Sequence, residues 1–178
     1  ILDRMELPSQ LLEQLAWNQD FLRAISGEEG EPARPIPAEL LTTMLERGRR
    51  GEARAMLNWT ARAALNLALH SLSPPVDAAR LADRIFGYFG LIPFPERHLY
   101  PAAFGHLMNV YASGYYSYLL TLDRALELNE RLSRPDVDPG LRRRVFESSS
   151  ETELDAVARE ILGRLPVRGA LVRLAESL

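Results

Sequence analysis

The chain has 178 residues, 47% of them hydrophobic and 25% charged, with a net charge of −3, which is the make-up of an ordinary globular chain of one domain's size. Cysteine is absent, which excludes a disulfide framework and a thiolate metal site, and the mild acidity argues against a nucleic-acid surface. No apolar run is long enough to span a bilayer and the N-terminal Ile-Leu-Asp-Arg-Met-Glu lacks a signal-peptide pattern, so the expectation is a single cytoplasmic domain over 1–178 with no membrane partner.

Leu7 to Arg23 starts with Pro8 and Ser9, and Leu11, Leu12, Leu15, Phe21 and Leu22 give it a rough helical period. The Gly-, Glu- and Pro-rich stretch from Ser26 to Pro37 predicts a loop. A helix over about Ala38 to Gly48 follows, with Pro37 and Glu39 suited to its first turn. Glu52 to Leu72 reads as a second, longer helix that buries Ala, Leu, Met and Trp, with Asn58, Asn66 and His70 on or near it. Ser73-Pro74-Pro75 breaks it, and Asp77 is placed to cap a helix running to Phe89. Pro93, Pro95 and Pro101 make Gly90 to Pro101 an irregular crossing. A long helix is expected from about Ser113 to Arg134, with Leu119, Leu122, Leu126 and Leu128 as core candidates. Helices over Leu141–Glu147, Thr152–Leu162 and Val167–Leu178 complete the reading, punctuated by Pro135 to Gly140 and by Gly163-Arg164-Leu165-Pro166. Period-2 alternation is almost missing, so the fold class is all-α, a multi-helix domain. The sequence opens on Ile1 rather than methionine, which predicts a fragment, a processed product or one part of a split protein.

The chemistry concentrates between Phe104 and Leu119, where His106, Tyr111, Tyr115, Tyr116 and Tyr118 crowd together. If helical, Tyr111, Tyr115 and Tyr118 share one face at i, i+4 and i+7. Such a stripe is either a packing seam or a row of phenol donors facing a substrate. His-Glu-x-x-His is absent, as are a phosphate loop and a nucleophile elbow, so this chain lacks the helical histidine pair of a zinc site. Glu6 alone reads as a solvated helix-start carboxylate, with Glu13 seven residues on and on the same face if one helix holds both. His70 reads as a capped or half-buried histidine among leucines and His98 as a loop residue near the expected cleft. Arg142-Arg143-Arg144 reads as a solvated face.

Three stretches together resemble one family. Glu6-Leu7-Pro8-Ser9-Gln10 with Glu13 and Trp17 is similar to the Glu-x-Pro-Ser-Gln-x-x-Glu segment of thimet-oligopeptidase-like zinc metallopeptidases, the M3 family. Phe104-Gly105-His106-Leu107 with Tyr111 and Tyr115-Tyr116-Ser117-Tyr118-Leu119 resembles that family's His- and Tyr-rich segment, and Leu162-Gly163-Arg164-Leu165-Pro166 its Leu-Gly-Arg-Glu-Pro stretch. The resemblance implies the C-terminal part of a zincin-like oligopeptidase helical domain acting on short peptides. By it, Glu6 is the third zinc ligand and Glu13 a partner beside the metal site. His106 and Tyr118 are the catalytic donors that stabilise the oxyanion, and Tyr111 and Tyr115 hold the peptide substrate. The zinc cofactor's two histidines would then come from a segment preceding Ile1, or from a companion chain carrying His-Glu-x-x-His. Val110 and Asn109 stand where the family has or often has glycine, which predicts a stiffer loop. Leu120 replaces a tryptophan, and Ser148-Ser149-Ser150 replaces Gly-Gly-Ser.

Three functions are compatible with this reading. The chain is one part of a zinc metalloendopeptidase, inactive by itself; or a degenerate pseudo-peptidase that binds peptides without metal; or a helical interaction domain whose tyrosines are core. The enzyme reading requires Glu6 and Tyr118 to face one shared hollow.

Overall fold

The computed structural model describes residues 6–27, 35–96, 98–109, 111–134, 138–147 and 151–163. Among the described residues there are eight α-helices and no strand, so the class is all-α.

The first expected helix is interrupted. Helix α1 covers Leu7–Glu13, a 3-10 turn follows at Gln14–Trp17, and α2 covers Gln19–Ile25. Asn18 causes the break. Its backbone is extended (φ −90°, ψ 115°), and its side chain accepts the Phe21 N–H at 2.8 Å, which starts a new helix.

The next two expected helices are instead one. Helix α3 runs unbroken over the 34 residues Ala38–Ser71. Glycine inside a helix costs about 1 kcal/mol but does not by itself end one. Gly48 has a packing reason to be glycine: a Cβ there would lie 2.3 Å from Trp17 Cζ3, so only a bare backbone lets the indole sit against the helix.

Asp77 caps α4 (Ala78–Tyr88) by accepting the Arg80 N–H, as its position predicts. The proline-rich crossing contains one short helix, α5 (Tyr100–Ala103), with proline in its first turn, and a 3-10 turn at Gly105–Leu107. Helix α6 covers Ser117–Leu132 and starts later than expected, because residues 111–116 are turns. Helices α7 (Pro139–Glu147) and α8 (Glu151–Leu162) follow, and α8 ends at Gly163 with φ +69°, the left-handed geometry that glycine allows. The expected helix over Val167–Leu178 lies outside the described residues, as do Arg164-Leu165-Pro166, Val110 and Ser148-Ser149-Ser150.

The chain falls into two compact units, one within Asp3–Gly51 and Leu120–Leu178, the other within Glu52–Leu119. The first has its core where Leu7 and Leu11 of α1 meet Ala125 and Leu128 of α6, Val145 of α7, and Ala158 and Ile161 of α8. The second has two clusters. Ala61, Leu65, Ala82 and Phe86 join α3 to α4. Ala63 of α3 packs with Phe104, Leu107 and Tyr115. Burying each large side chain contributes about 1.5–3 kcal/mol, so these clusters fix what the exposed segments are attached to.

Candidate functional site

In the first unit the Glu-Leu-Pro-Ser-Gln run builds its own turn. Glu6 is the residue before α1, Pro8 sits in the first turn where its missing N–H is not needed, and Gln10 is buried. The Gln10 N–H donates to the Glu6 carbonyl at 2.9 Å. The Ser9 hydroxyl lies 2.9 Å from the Glu6 carbonyl oxygen and 3.1 Å from Oε2, so it ties the carboxylate to the helix start. Glu6 is half-buried, while Glu13 at the other end of α1 is exposed. Among the described residues no three His, Asp or Glu side chains gather as a metal site would require. Zinc needs three or four such ligands, so the donor set fits it only if other residues join Glu6.

In the second unit, His106, Tyr111, Tyr115 and Tyr118 do come together, though not by helical spacing. The chain reaches them through successive turns: Ala112 N–H donates to the Asn109 carbonyl, Gly114 N–H to Tyr111 and Ser117 N–H to Gly114. Asn109 Oδ1 also accepts the Tyr111 N–H at 2.9 Å, the local bond that lets asparagine nucleate turns. Ser113 has φ +56°, a conformation no helix accommodates, which is why α6 cannot begin until Ser117.

The turns fold the rings onto one another. Ring centroids of His106 lie 5.3 Å from Tyr111, 5.1 Å from Tyr115 and 5.8 Å from Tyr118. Tyr118 in turn lies 5.2 Å from Tyr111 and 5.0 Å from Tyr115. Tyr111 and Tyr115 are buried, His106 and Tyr118 half-buried, and Tyr116 points outward at 39% exposure. The Tyr118 hydroxyl and His106 Nε2 are 3.4 Å apart, a long hydrogen bond. The edge-to-face contacts among these rings hold the polar tips in fixed relation.

Sequence reasoning missed the groups on α3 that brace this cluster. Asn66 is fully buried, and its Oδ1 accepts the Tyr115 N–H at 3.4 Å. Arg62, one turn earlier, lies over the Phe104 ring with its guanidinium carbon 5.9 Å from the centroid. Burial works against the Arg62 charge, but the polar phenols of Tyr115 and Tyr100 beside it more than offset it and raise its pKa. The Tyr100 phenol is pushed up by burial and partly drawn back by Arg62. Its oxygen is beyond hydrogen-bond distance of any partner, so the Arg62–Tyr100 interaction is one of charge and dipole. The signal was present in the sequence: Asn58, Arg62 and Asn66 recur every fourth residue, a polar line through an Ala- and Leu-rich helix.

The remaining candidates resolve as structural. His70 Nδ1 donates to the Asn66 carbonyl at 2.8 Å from an exposed position. His98 is more than a loop residue: it stacks on Phe94 at 4.4 Å, its Nδ1 accepts the Tyr100 N–H, and its Nε2 lies 3.2 Å from Asp83. Arg143 and Arg144 pair with Glu147 and Glu160 on the surface.

The profile of Peptidase family M3 matches residues 2–172. The chain belongs to peptidase family M3. It is 34% identical over 121 residues to oligopeptidase A of Salmonella typhimurium and, over the same length, to oligopeptidase A of Escherichia coli. It is 32% identical over 120 residues to a thimet-like oligopeptidase of Dictyostelium discoideum. Each match takes in 66% of this chain but 18% of the relative, so the M3 chain spans a small part of those proteins' length. The M3 family uses zinc. Among the described residues no helix of this M3 chain is long and apolar enough to cross a membrane.

Proposed function

We propose that this M3 chain is the part of a cytoplasmic zinc endopeptidase that supplies one metal ligand and the wall that holds short peptides. The observation that carries this reading is the meeting of His106, Tyr111, Tyr115 and Tyr118 in one aromatic cluster, with a His106–Tyr118 hydrogen bond at its half-buried edge. Glu6 is the metal ligand, oriented by the Ser9 hydroxyl as ligands are oriented by outer partners. Glu13, exposed at the end of α1, orients a ligand from the rest of the protein. The His-Glu-x-x-His segment comes from upstream in the same polypeptide or from a companion chain. Zinc, when bound, polarises the scissile carbonyl and activates water.

The protein's own contribution lies in the donors. As the scissile carbon becomes tetrahedral, negative charge grows on its oxygen, and a preorganised hydrogen-bond donor aimed there lowers the barrier. Tyr118 and His106 share one hydrogen bond, whose direction the imidazole tautomer sets. With the proton on Nε2, His106 donates to the phenol oxygen, and with Nε2 bare the phenol donates to the imidazole. The first arrangement is the one in which Tyr118 serves the oxyanion as a donor. Tyr111 and Tyr115, more deeply buried, hold the peptide.

The test assembles this chain with the His-Glu-x-x-His part and assays a short internally quenched peptide. Turnover is expected, and chelation abolishes it. Tyr118→Phe is expected to lower kcat by roughly 100- to 1000-fold with little change in KM. An assembled protein that binds peptide without cleaving it is a pseudo-peptidase. A Tyr118→Phe enzyme with full kcat removes the oxyanion role.

A further inference from the structure

The face of α3 that carries the aromatic cluster can be followed in steps of one turn. Ala63 is buried with Phe104, Leu107 and Tyr115, Trp59 four residues earlier is half-buried, and Ala55 four earlier again is exposed. Trp59 therefore stands at the rim of the cluster. Among the described rings its indole meets Tyr118 alone, with 6.3 Å between centroids and 53° between planes. Among the described residues it packs into neither buried cluster of its unit. A large apolar side chain is thus left partly uncovered beside the phenol whose hydroxyl meets His106.

We propose that Trp59 is a specificity-determining residue, whose uncovered indole surface receives a large apolar side chain from a peptide residue flanking the scissile bond. This rests on the reading of Tyr118 as the oxyanion donor. With the Tyr118 hydroxyl at the carbonyl under attack, a ring in contact with Tyr118 is within reach of the side chains beside that bond, because consecutive Cα atoms are about 3.8 Å apart. An indole is a broad, rigid apolar surface, and covering it with an apolar side chain removes both from water. An indole face also attracts cations. Arg62, three residues along the same helix, already places a positive charge beside Trp59, which disfavours a second one from the peptide. The side chain selected is therefore apolar rather than basic.

The experiment uses the assembled peptidase and short peptides carrying phenylalanine, lysine or alanine at each position beside the scissile bond. The first readout is the ratio of kcat/KM for the phenylalanine peptide over the alanine peptide. It is expected to be roughly tenfold at one of the two positions in the parent, close to one in Trp59→Ala and intermediate in Trp59→Phe. A tryptophan that merely supported Tyr118 would lower both peptides alike and keep the ratio, as Tyr118→Phe is expected to do. The second readout is the fluorine resonance of Trp59 in protein grown with fluorotryptophan. This chain has two tryptophans, Trp17 and Trp59, and the Trp59 signal is the one lost in Trp59→Phe. With the metal chelated, it is expected to shift at saturating phenylalanine peptide and to shift less with the alanine peptide. A ratio unchanged by Trp59→Ala overturns the proposal, and so does a parent that prefers the lysine peptide. A Trp59 signal that stays in place at saturating peptide overturns it too, the indole then being covered by the rest of the protein. An assembled protein that neither binds nor cleaves any of these peptides ends the peptidase reading and this proposal with it. If Trp59→Ala fails to fold, Trp59→Phe carries the ratio, and an undiminished ratio together with an unmoved Trp59 signal overturns the claim.

Discussion

The turn at Glu6 is held by residues three and four positions away, whereas the aromatic cluster at 104–118 depends on an asparagine 49 positions away. In the first case Pro8, Ser9 and Gln10 carry the instructions for placing one carboxylate: a ring that fixes the first turn, a hydroxyl that ties it, and a side chain that anchors it in the core. In the second case Phe104 to Tyr118 specify a series of turns, but what those turns lie against is set by α3. A segment of the first kind keeps its geometry when its surroundings loosen. One of the second kind is only as exact as its distant support.

The largest effect that separates the two is expected at Asn66. Asn66→Ala leaves the Tyr115 N–H buried without its acceptor, which costs about 1–3 kcal/mol. Ser9→Ala removes an exposed bond in the Glu6 turn and is expected to stay within about 0.5 kcal/mol. Urea denaturation of both variants measures the difference. Equal losses would mean that the cluster does not lean on α3 more than the Glu6 turn leans on itself.

This contrast also explains what could be read in advance. The all-α class, the Asp77 cap and the end of α8 at Gly163 follow from side chains acting on their immediate neighbours, and these were legible. Gly48 misled because its meaning is not local: it is a helix interior kept bare for Trp17, where proximity in sequence suggested a stop. The tyrosines gathered as expected but for another reason. Helical spacing at 111–118 requires φ < 0 throughout, and Ser113 breaks it, so the cluster is closed by turns. Arg62 escaped notice because an arginine on a long helix is ordinarily solvated, and only the rings packed beside it reveal its task.

A smaller effect is expected at Asn18, where a local signal was present but outweighed by the hydrophobic period around it. Asn18→Ala removes the acceptor for Phe21 N–H and is expected to cost about 1 kcal/mol. Asn18→Asp keeps the acceptor and is expected to restore most of it. Thermal melting followed by circular dichroism checks both. If the alanine variant melts with the parent, the period from Leu11 to Leu22 is strong enough to run on without its cap, and Asn18 is not what divides α1 from α2.

The smallest effect is one of pH, and it probes the non-local side of the comparison directly. Tyr100 is half-buried with its hydroxyl oxygen inside, which pushes its phenol above the ordinary value near 10, and the Arg62 charge offsets part of that rise. Its folded-state pKa therefore exceeds its unfolded value, so the folded chain holds the proton more tightly. The associated stability is fully present below pH 10 and is lost as pH rises through the folded pKa. The parent is thus expected to lose stability against Tyr100→Phe as pH climbs above 10, with no growing difference below it. In Arg62→Met the offset is gone, the folded pKa moves higher, and the loss begins at the same pH but continues further. Urea midpoints at a series of alkaline pH values read this difference. A parent and a Tyr100→Phe variant that fall in parallel would mean that the Tyr100 hydroxyl reaches solvent, and that the packing of α3 against this ring is looser than the contacts of Arg62 imply.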